Sequence, residues 1–197
     1  MPIDKRNIFI KGKNIYLKVL TKEDVIKSSW YGWFNDEHTC EMLQKRYFPN
    51  SLEKQLEYWS ELNKEMISNK KIQLGVCKNK SSKILGVISL NNINMINQTA
   101  ENSTVMGETE GKDIKTVVEA WRLIFWHGFN VLNLNKIYGG SISKSVVDLL
   151  CKFTESKHEG TRKHQVFKNG IFVDTYLWGL TKNSFNKKYF NFLKKNS

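Results

Sequence analysis

The stretch from Met106 to Gly140, MGETEGKDIKTVVEAWRLIFWHGFNVLNLNKIYGG, holds the residues best spaced for chemistry. A short strand ends near Glu108, and a turn follows, Thr109-Glu110-Gly111-Lys112. From about Asp113 to Asn130 the apolar residues Ile114, Val117, Val118, Trp121, Leu123, Ile124 and Phe125 recur at three- and four-residue steps, the period of a buried helix face. Leu132-Asn133-Leu134-Asn135 breaks the pattern, and Lys136-Ile137-Tyr138 reads as a new strand. The first amides of a helix lack partners within it and attract anions. Strand, glycine turn and helix therefore suggest a phosphate-bearing cofactor held at Gly111, Lys112, Asp113, Ile114, Lys115 and Thr116. Lys112 and Lys115 add positive charge there. Asp113 opposes it, because a carboxylate at a helix N-terminus competes for the same amides; it fits an ordinary helix cap equally well.

A second group suits recognition of an acceptor molecule. Trp30, Trp33, Phe34 and Tyr47 offer rings that stack on sugars or bases, and Arg46 offers paired donors for phosphate or carboxylate. The tryptophans fit a core equally well. His127 falls inside the apolar helix pattern and reads as a core residue. The histidines and the three cysteines, Cys40, Cys77 and Cys151, show no metal-ligand spacing, so no metal is expected and the thiols read as reduced and cytoplasmic.

The elements that must position these groups can be followed along the chain. Asn14 to Leu20 alternates as a strand. Thr21 caps a helix that carries Val25, Ile26, Trp30 and Trp33. Asn35-Asp36-Glu37 is a turn, and a loop through Pro49 leads to Ser51, which opens an amphipathic helix with Leu52, Leu56, Trp59, Leu62 and Met66 on one face. Gln73–Cys77 and Ile84–Leu90 are strands joined by a hairpin. Asn91 to Asn102 is polar and ambiguous, and Ser103 to Glu108 is the strand before the turn. A short helix carries Val146, Val147, Leu149, Leu150 and Phe153. Two last strands flank Asn169-Gly170, a strong hairpin signal.

The order Met106-Gly107-Glu108, then Gly111 to Thr116, then Glu119-Ala120, then Leu134 to Ile137 resembles the GNAT superfamily of acetyl-CoA N-acetyltransferases, in the branch of ribosomal-protein and amino-sugar acetyltransferases. The segments W-F-N-D-E, R-Y-F-P-N-S and E-Y-W between Trp33 and Trp59, and F-K-N-G-I-F-V-D near the C-terminus, are similar to the same branch, so the resemblance covers about Ile10 to Asn183. It implies one domain over residues 1–197, of α/β (α+β) class: a central, mostly antiparallel, splayed sheet of about seven strands with helices on both faces. It implies acetyl-CoA as co-substrate, with the pantetheine arm lying along the strand at Met106 and Gly107 and the pyrophosphate on the turn. The branch's turn pattern, Q/R-x-x-G-x-G/A, meets Glu110, Asp113 and Lys115 here, and all three depart from it. By resemblance Glu108 is the candidate base for the acceptor amine. Ser145 stands where the family places a pantetheine-binding asparagine, and Cys151 or Lys152 falls near its acidic tyrosine, which leaves thiolate protonation unassigned. Trp33, Arg46 and Tyr47 fall on the acceptor side.

Composition limits the alternatives. The chain of 197 residues has a formal charge of +12. A basic surface attracts anionic partners in general. With no nucleic-acid recognition motif and no arginine stripe, nucleic acid is not expected. No apolar run of membrane length is present. The expectation is an N-acetyltransferase acting on an anionic small molecule, an amino sugar or nucleotide-linked amino sugar. A protein N-terminal acetyltransferase of the ribosomal type and a non-catalytic GNAT-like binding protein stand as alternatives, and a homodimer is left open.

Overall fold

The computed structural model describes residues 5–43 and 47–193, with side chains to residue 189. The elements run β1 (Ile8–Lys11), β2 (Ile15–Val19), α1 (Lys22–Lys27), α2 (Trp30–Trp33), α3 (Glu37–Cys40), α4 (Leu52–Ile67), β3 (Ile72–Lys78), β4 (Ile84–Asn94), β5 (Thr99–Met106), α5 (Ile114–Asn130), β6 (Lys136–Ser141), α6 (Lys144–Thr154), β7 (Lys157–Lys168), β8 (Ile171–Thr181) and α7 (Lys182–Leu193). They build one eight-stranded sheet in the order β1-β2-β3-β4-β5-β6-β8-β7. Every pairing is antiparallel except β5 with β6. The sheet has one strand more than expected, because Ile8–Lys11 forms its own edge strand on β2.

Local chemistry sets the boundaries. Thr21 and Asp24 cap α1 reciprocally, and Lys18 closes on Asp24 at 2.8 Å. The single helix expected through Trp33 is instead two short ones, since Ser28 leaves helical geometry and ends α1. Ser51, Asp113 and Ser143 cap α4, α5 and α6, each accepting a bond from the third residue on. Asn169 and Gly170 both take positive φ in the β7–β8 turn, as a two-residue hairpin requires.

Alternation in the central strands gives the sheet two unlike faces. Ile88 and Leu90 of β4, Leu74 and Val76 of β3 and Ala100 of β5 pack with Val118, Trp121, Phe125 and Phe129 of α5 and with Val147 and Leu150 of α6. On the other face Tyr16, Val25, Trp30, Trp33, Leu62, Ile84 and Val87 form a smaller core beneath α1, α2 and α4. Gln73, Ser89 and Ser103 stand side by side on that second face, as do Asn91 and Glu101. The ambiguous polar stretch is therefore the end of β4 and the start of β5, polar because this part of the face lines a cavity rather than a core.

Candidate active site

The sheet opens at its centre. β5 and β6 pair only through Thr99, Ala100 and Glu101, opposite Lys136, Ile137 and Tyr138. Beyond Glu101 the strands part, so from Asn102 to Met106 β5 has β4 on one side and no strand on the other. Gly139, Gly140 and Ser141 likewise pair only with β8. The V between them exposes backbone donors and acceptors along β5, which fits an extended chain rich in amides adding itself as a strand. Gly139 and Gly140 leave Trp178 and Thr175 room to pack where their own side chains would stand.

At the wide end of the V lies the turn into α5. Of the residues expected to hold a pyrophosphate, Gly111 is buried, and a Cβ there would meet Leu85 and Met106. Its amide bonds Glu108 O at 2.9 Å, and that of Lys112 bonds Thr109 O at 3.1 Å, so both are spent inside a single 3-10 turn. Asp113 caps α5, accepting the Thr116 amide at 3.0 Å. A bond with the Thr116 side chain is the main reason its carboxyl titrates below the ordinary range; slight burial opposes it, and the Thr116 amide, the charge of Lys78 and the Lys115 amide add to it. A carboxylate thus occupies the anion site of α5. The Ile114 amide stands at the first position of the helix, and the side chains of Lys112 and Lys115 are exposed beside it, Lys112 Nζ donating to Thr39 Oγ1 at 3.4 Å. Met106 packs its side chain between Gly86 and Gly111, leaving its backbone to the V. Ser145 sits on the exposed first turn of α6 just past β6, its hydroxyl 2.9 Å from that of Ser143.

Glu108 is held on every side. Trp33 Nε1 donates to its Oε1 at 2.9 Å, and Lys83 reaches its Oε2 at 3.0 Å. Partial burial pushes its pKa up, but the Trp33 and Lys83 bonds outweigh this and hold it below the ordinary carboxylate value. Lys83 also binds Glu110 at 2.9 Å. Trp33 is buried and its indole lies against Gly107, where a Cβ would come within 1.9 Å of the ring. Trp33 is thus a buried donor to Glu108. Burial similarly lowers the pKa of His127, which packs edge-on to Phe9 as a core residue.

The second face of the sheet carries a cavity of about 1060 Å³ between β3–β5 and the helices α2 and α4. Trp30, Phe34 and Tyr58 form one wall, and Gln73, Ser89, Asn91, Glu101 and Ser103 form the floor. Tyr58 donates to Gln73 at 2.7 Å and receives Lys71 at 3.3 Å. Tyr47 lies at the mouth, its hydroxyl bonded to Phe167 O at 2.9 Å. Arg46 lies outside the described residues. Glu108 does not line this cavity, whereas Glu101 does, at the residue where the V begins. Among the described residues Glu101 accepts from Asn92 at 3.2 Å and pairs with no cation. The sequence reading missed it because a lone glutamate among asparagines has no periodicity to place it; only the register of β4 and β5 brings it to the V. Cys151 and Lys152 lie in the second half of α6, and burial pushes the Cys151 thiol up. Among the described residues no group of three His, Cys, Asp or Glu side chains is placed to hold a metal, and no helix is long and apolar enough to cross a membrane.

Compared by sequence, the chain matches no protein-family model and no curated protein. Compared by structure, it matches many solved chains. One is a ribosomal L7/L12 alpha-N-protein acetyltransferase, RimL, solved with coenzyme A: TM-score 0.77, 12% identity, covering 88% of this chain and 97% of that one. Another is the spermidine N-acetyltransferase from Vibrio cholerae, solved with CoA and spermine: TM-score 0.76, 19% identity, covering 88% and 99%. A third is the microcin C7 self-immunity acetyltransferase MccE, solved with acetyl-CoA and AMP: TM-score 0.73, 15% identity, covering 86% and 93%. These likenesses establish the architecture: the chain has the fold of the GNAT acetyltransferases.

Proposed function

We propose that the chain is an N-acetyltransferase that moves an acetyl group from acetyl-CoA to a primary amine on an amino sugar or nucleotide-linked amino sugar. The observation that carries this reading is the V between β5 and β6 opening beside a polar cavity on the same sheet. The bound co-substrate supplies an activated thioester. The unpaired backbone of β5 from Asn102 to Met106 binds and orients the amide-rich arm, and a strand amide at the start of the V polarises the carbonyl. Lys112, Lys115 and the Ile114 amide meet the diphosphate, with Asp113 giving way as helix cap. The proton-accepting role moves from Glu108 to Glu101. The Lys83 ion pair lowers the affinity of Glu108 for a proton, and Glu108 stands away from the cavity that Glu101 lines. Glu108 lies at the other end of β5, beyond Met106, which is roughly 16 Å from Glu101 by strand rise alone.

The hydroxyls and amides of Ser89, Ser103, Gln73 and Asn91 favour a polyhydroxylated acceptor. The test is an acceptor screen with acetyl-CoA, reading thiol release. Activity on amino sugars and none on peptide N-termini supports the reading. Activity on peptides alone replaces it with the ribosomal type, which the RimL likeness favours. Failure to bind CoA supports the non-catalytic alternative, for which the Asp113 cap is the argument.

A further inference from the structure

Two remote parts of the chain meet beside the cavity. The connection between α2 and α4 is tied at its base by two asparagines. Asn35 Nδ2 donates to Asn50 O at 2.8 Å, and the Asn50 amide donates to Asn35 Oδ1 at 2.7 Å. Between these ties the connection carries α3, and then Tyr47 and Phe48, which line the cavity at its mouth. Its far side is bonded to the tip of the β7–β8 hairpin. Lys168 Nζ donates to Cys40 O at 2.5 Å and to Leu43 O at 2.6 Å, partners 128 and 125 residues away in the chain. The Tyr47 hydroxyl donates to Phe167 O at 2.9 Å.

This contact is built on both sides. The last carbonyls of a helix lack partners within it, and a lysine satisfies them well. Cys40 is the last residue of α3, so the ammonium closes that helix. The tip that delivers it is preset: Asn169 and Gly170 both take positive φ, and the Phe167 and Phe172 rings pack 5.1 Å apart across the turn. A second cavity, of about 750 Å³, lies between the tip and α3, lined among others by Asp36, Cys40, Lys168 and Gly170. Tyr47 borders both cavities.

We propose that Lys168 is a positioning residue for the acceptor: it pins a clasp by which the hairpin holds Tyr47 and Phe48 at the mouth of the cavity. The proposal rests on the cavity being the acceptor site. A mouth fixed in advance spares the acceptor the cost of ordering it, so loss of the clasp weakens acceptor recognition. The V and the unit of β5, turn and α5 stay as they are.

Lys168→Met keeps the stem and removes the ammonium. With acetyl-CoA and glucosamine as the probe acceptor, it should raise the glucosamine KM about tenfold, while kcat and the dissociation constant for acetyl-CoA stay within about twofold. Lys168→Arg keeps donors at that place and should recover most of the loss. A second readout needs no acceptor. Cys40 is buried, and its thiol should react faster with an aryl disulfide once the clasp is open. Cys151→Ser removes the more accessible thiol, and Cys77, buried in the smaller core, serves as the internal standard. An unchanged glucosamine KM, an equal loss of acetyl-CoA affinity, or an unchanged Cys40 rate in Lys168→Met overturns the proposal. If the wild type binds acetyl-CoA and leaves glucosamine unacetylated, the amino-sugar reading fails, and the Cys40 rate still decides the clasp.

Discussion

Three acidic or basic side chains behave differently because of what surrounds them. Glu101→Gln keeps the shape of the acid and removes the base. Acetyl transfer at neutral pH should fall about 10²- to 10⁴-fold with little change in CoA affinity. Glu108→Gln should slow the reaction far less. Its main effect should be on stability, because it releases Lys83 and weakens the Trp33 bond. Steady-state rates and a melting curve on both variants decide between the two acids, and a larger rate loss for Glu108→Gln reverses the assignment. His127 yields a pH prediction. Burial lowers its pKa from the ordinary 6.5, so the native state resists a proton that the unfolded chain accepts. That contribution is complete above 6.5 and is lost as the pH falls below it. The melting temperature should drop between pH 7 and pH 5, and His127→Gln should flatten part of that slope. An unchanged slope would mean that other groups set it.

At the scale of elements, the β5–turn–α5 unit decides whether the fold can hold its co-substrate. Asp113 serves the helix as a cap and competes with a phosphate for the same reason: both seek the first amides. Asp113→Gly should tighten CoA binding measured by calorimetry, at a cost in stability of a few tenths of a kcal/mol, the usual penalty of glycine at a cap. Weaker binding would show that Asp113 helps to shape the site. Gly107 carries a different constraint, since the Trp33 ring fills the space of its side chain. Gly107→Ala should cost about 2–3 kcal/mol and lower the melting temperature by roughly 5–10 °C. Much of this unit was legible in the sequence. The α5 period, its Asp113 start and the strand on either side all follow from local pattern. What the pattern could not show is where a side chain spends its bonds. No periodicity announces that Trp33 bonds Glu108 or that Leu85 and Met106 lie against Gly111. The break at Ser28 and the place of Glu101 beside the cavity also escaped: the first is one residue leaving helical geometry, and the second is set by the register of β4 and β5.

For the whole molecule, the charge of +12 favours capture of an anionic co-substrate and acceptor in a salt-dependent way, and it leaves open which anion. The architecture was readable because it depends on many weak periodicities acting together, whereas the acceptor depends on a few polar groups around one cavity. The central claim is that the V between β5 and β6 receives acetyl-CoA. Calorimetric titration of the wild-type chain with acetyl-CoA tests it most directly. The account predicts saturable one-site binding with a dissociation constant of about 1 µM to 1 mM, the common range for enzyme substrates, weakened by Lys112→Ala with Lys115→Ala and tightened by Asp113→Gly. Absence of binding at millimolar acetyl-CoA in both the wild type and Asp113→Gly would contradict it.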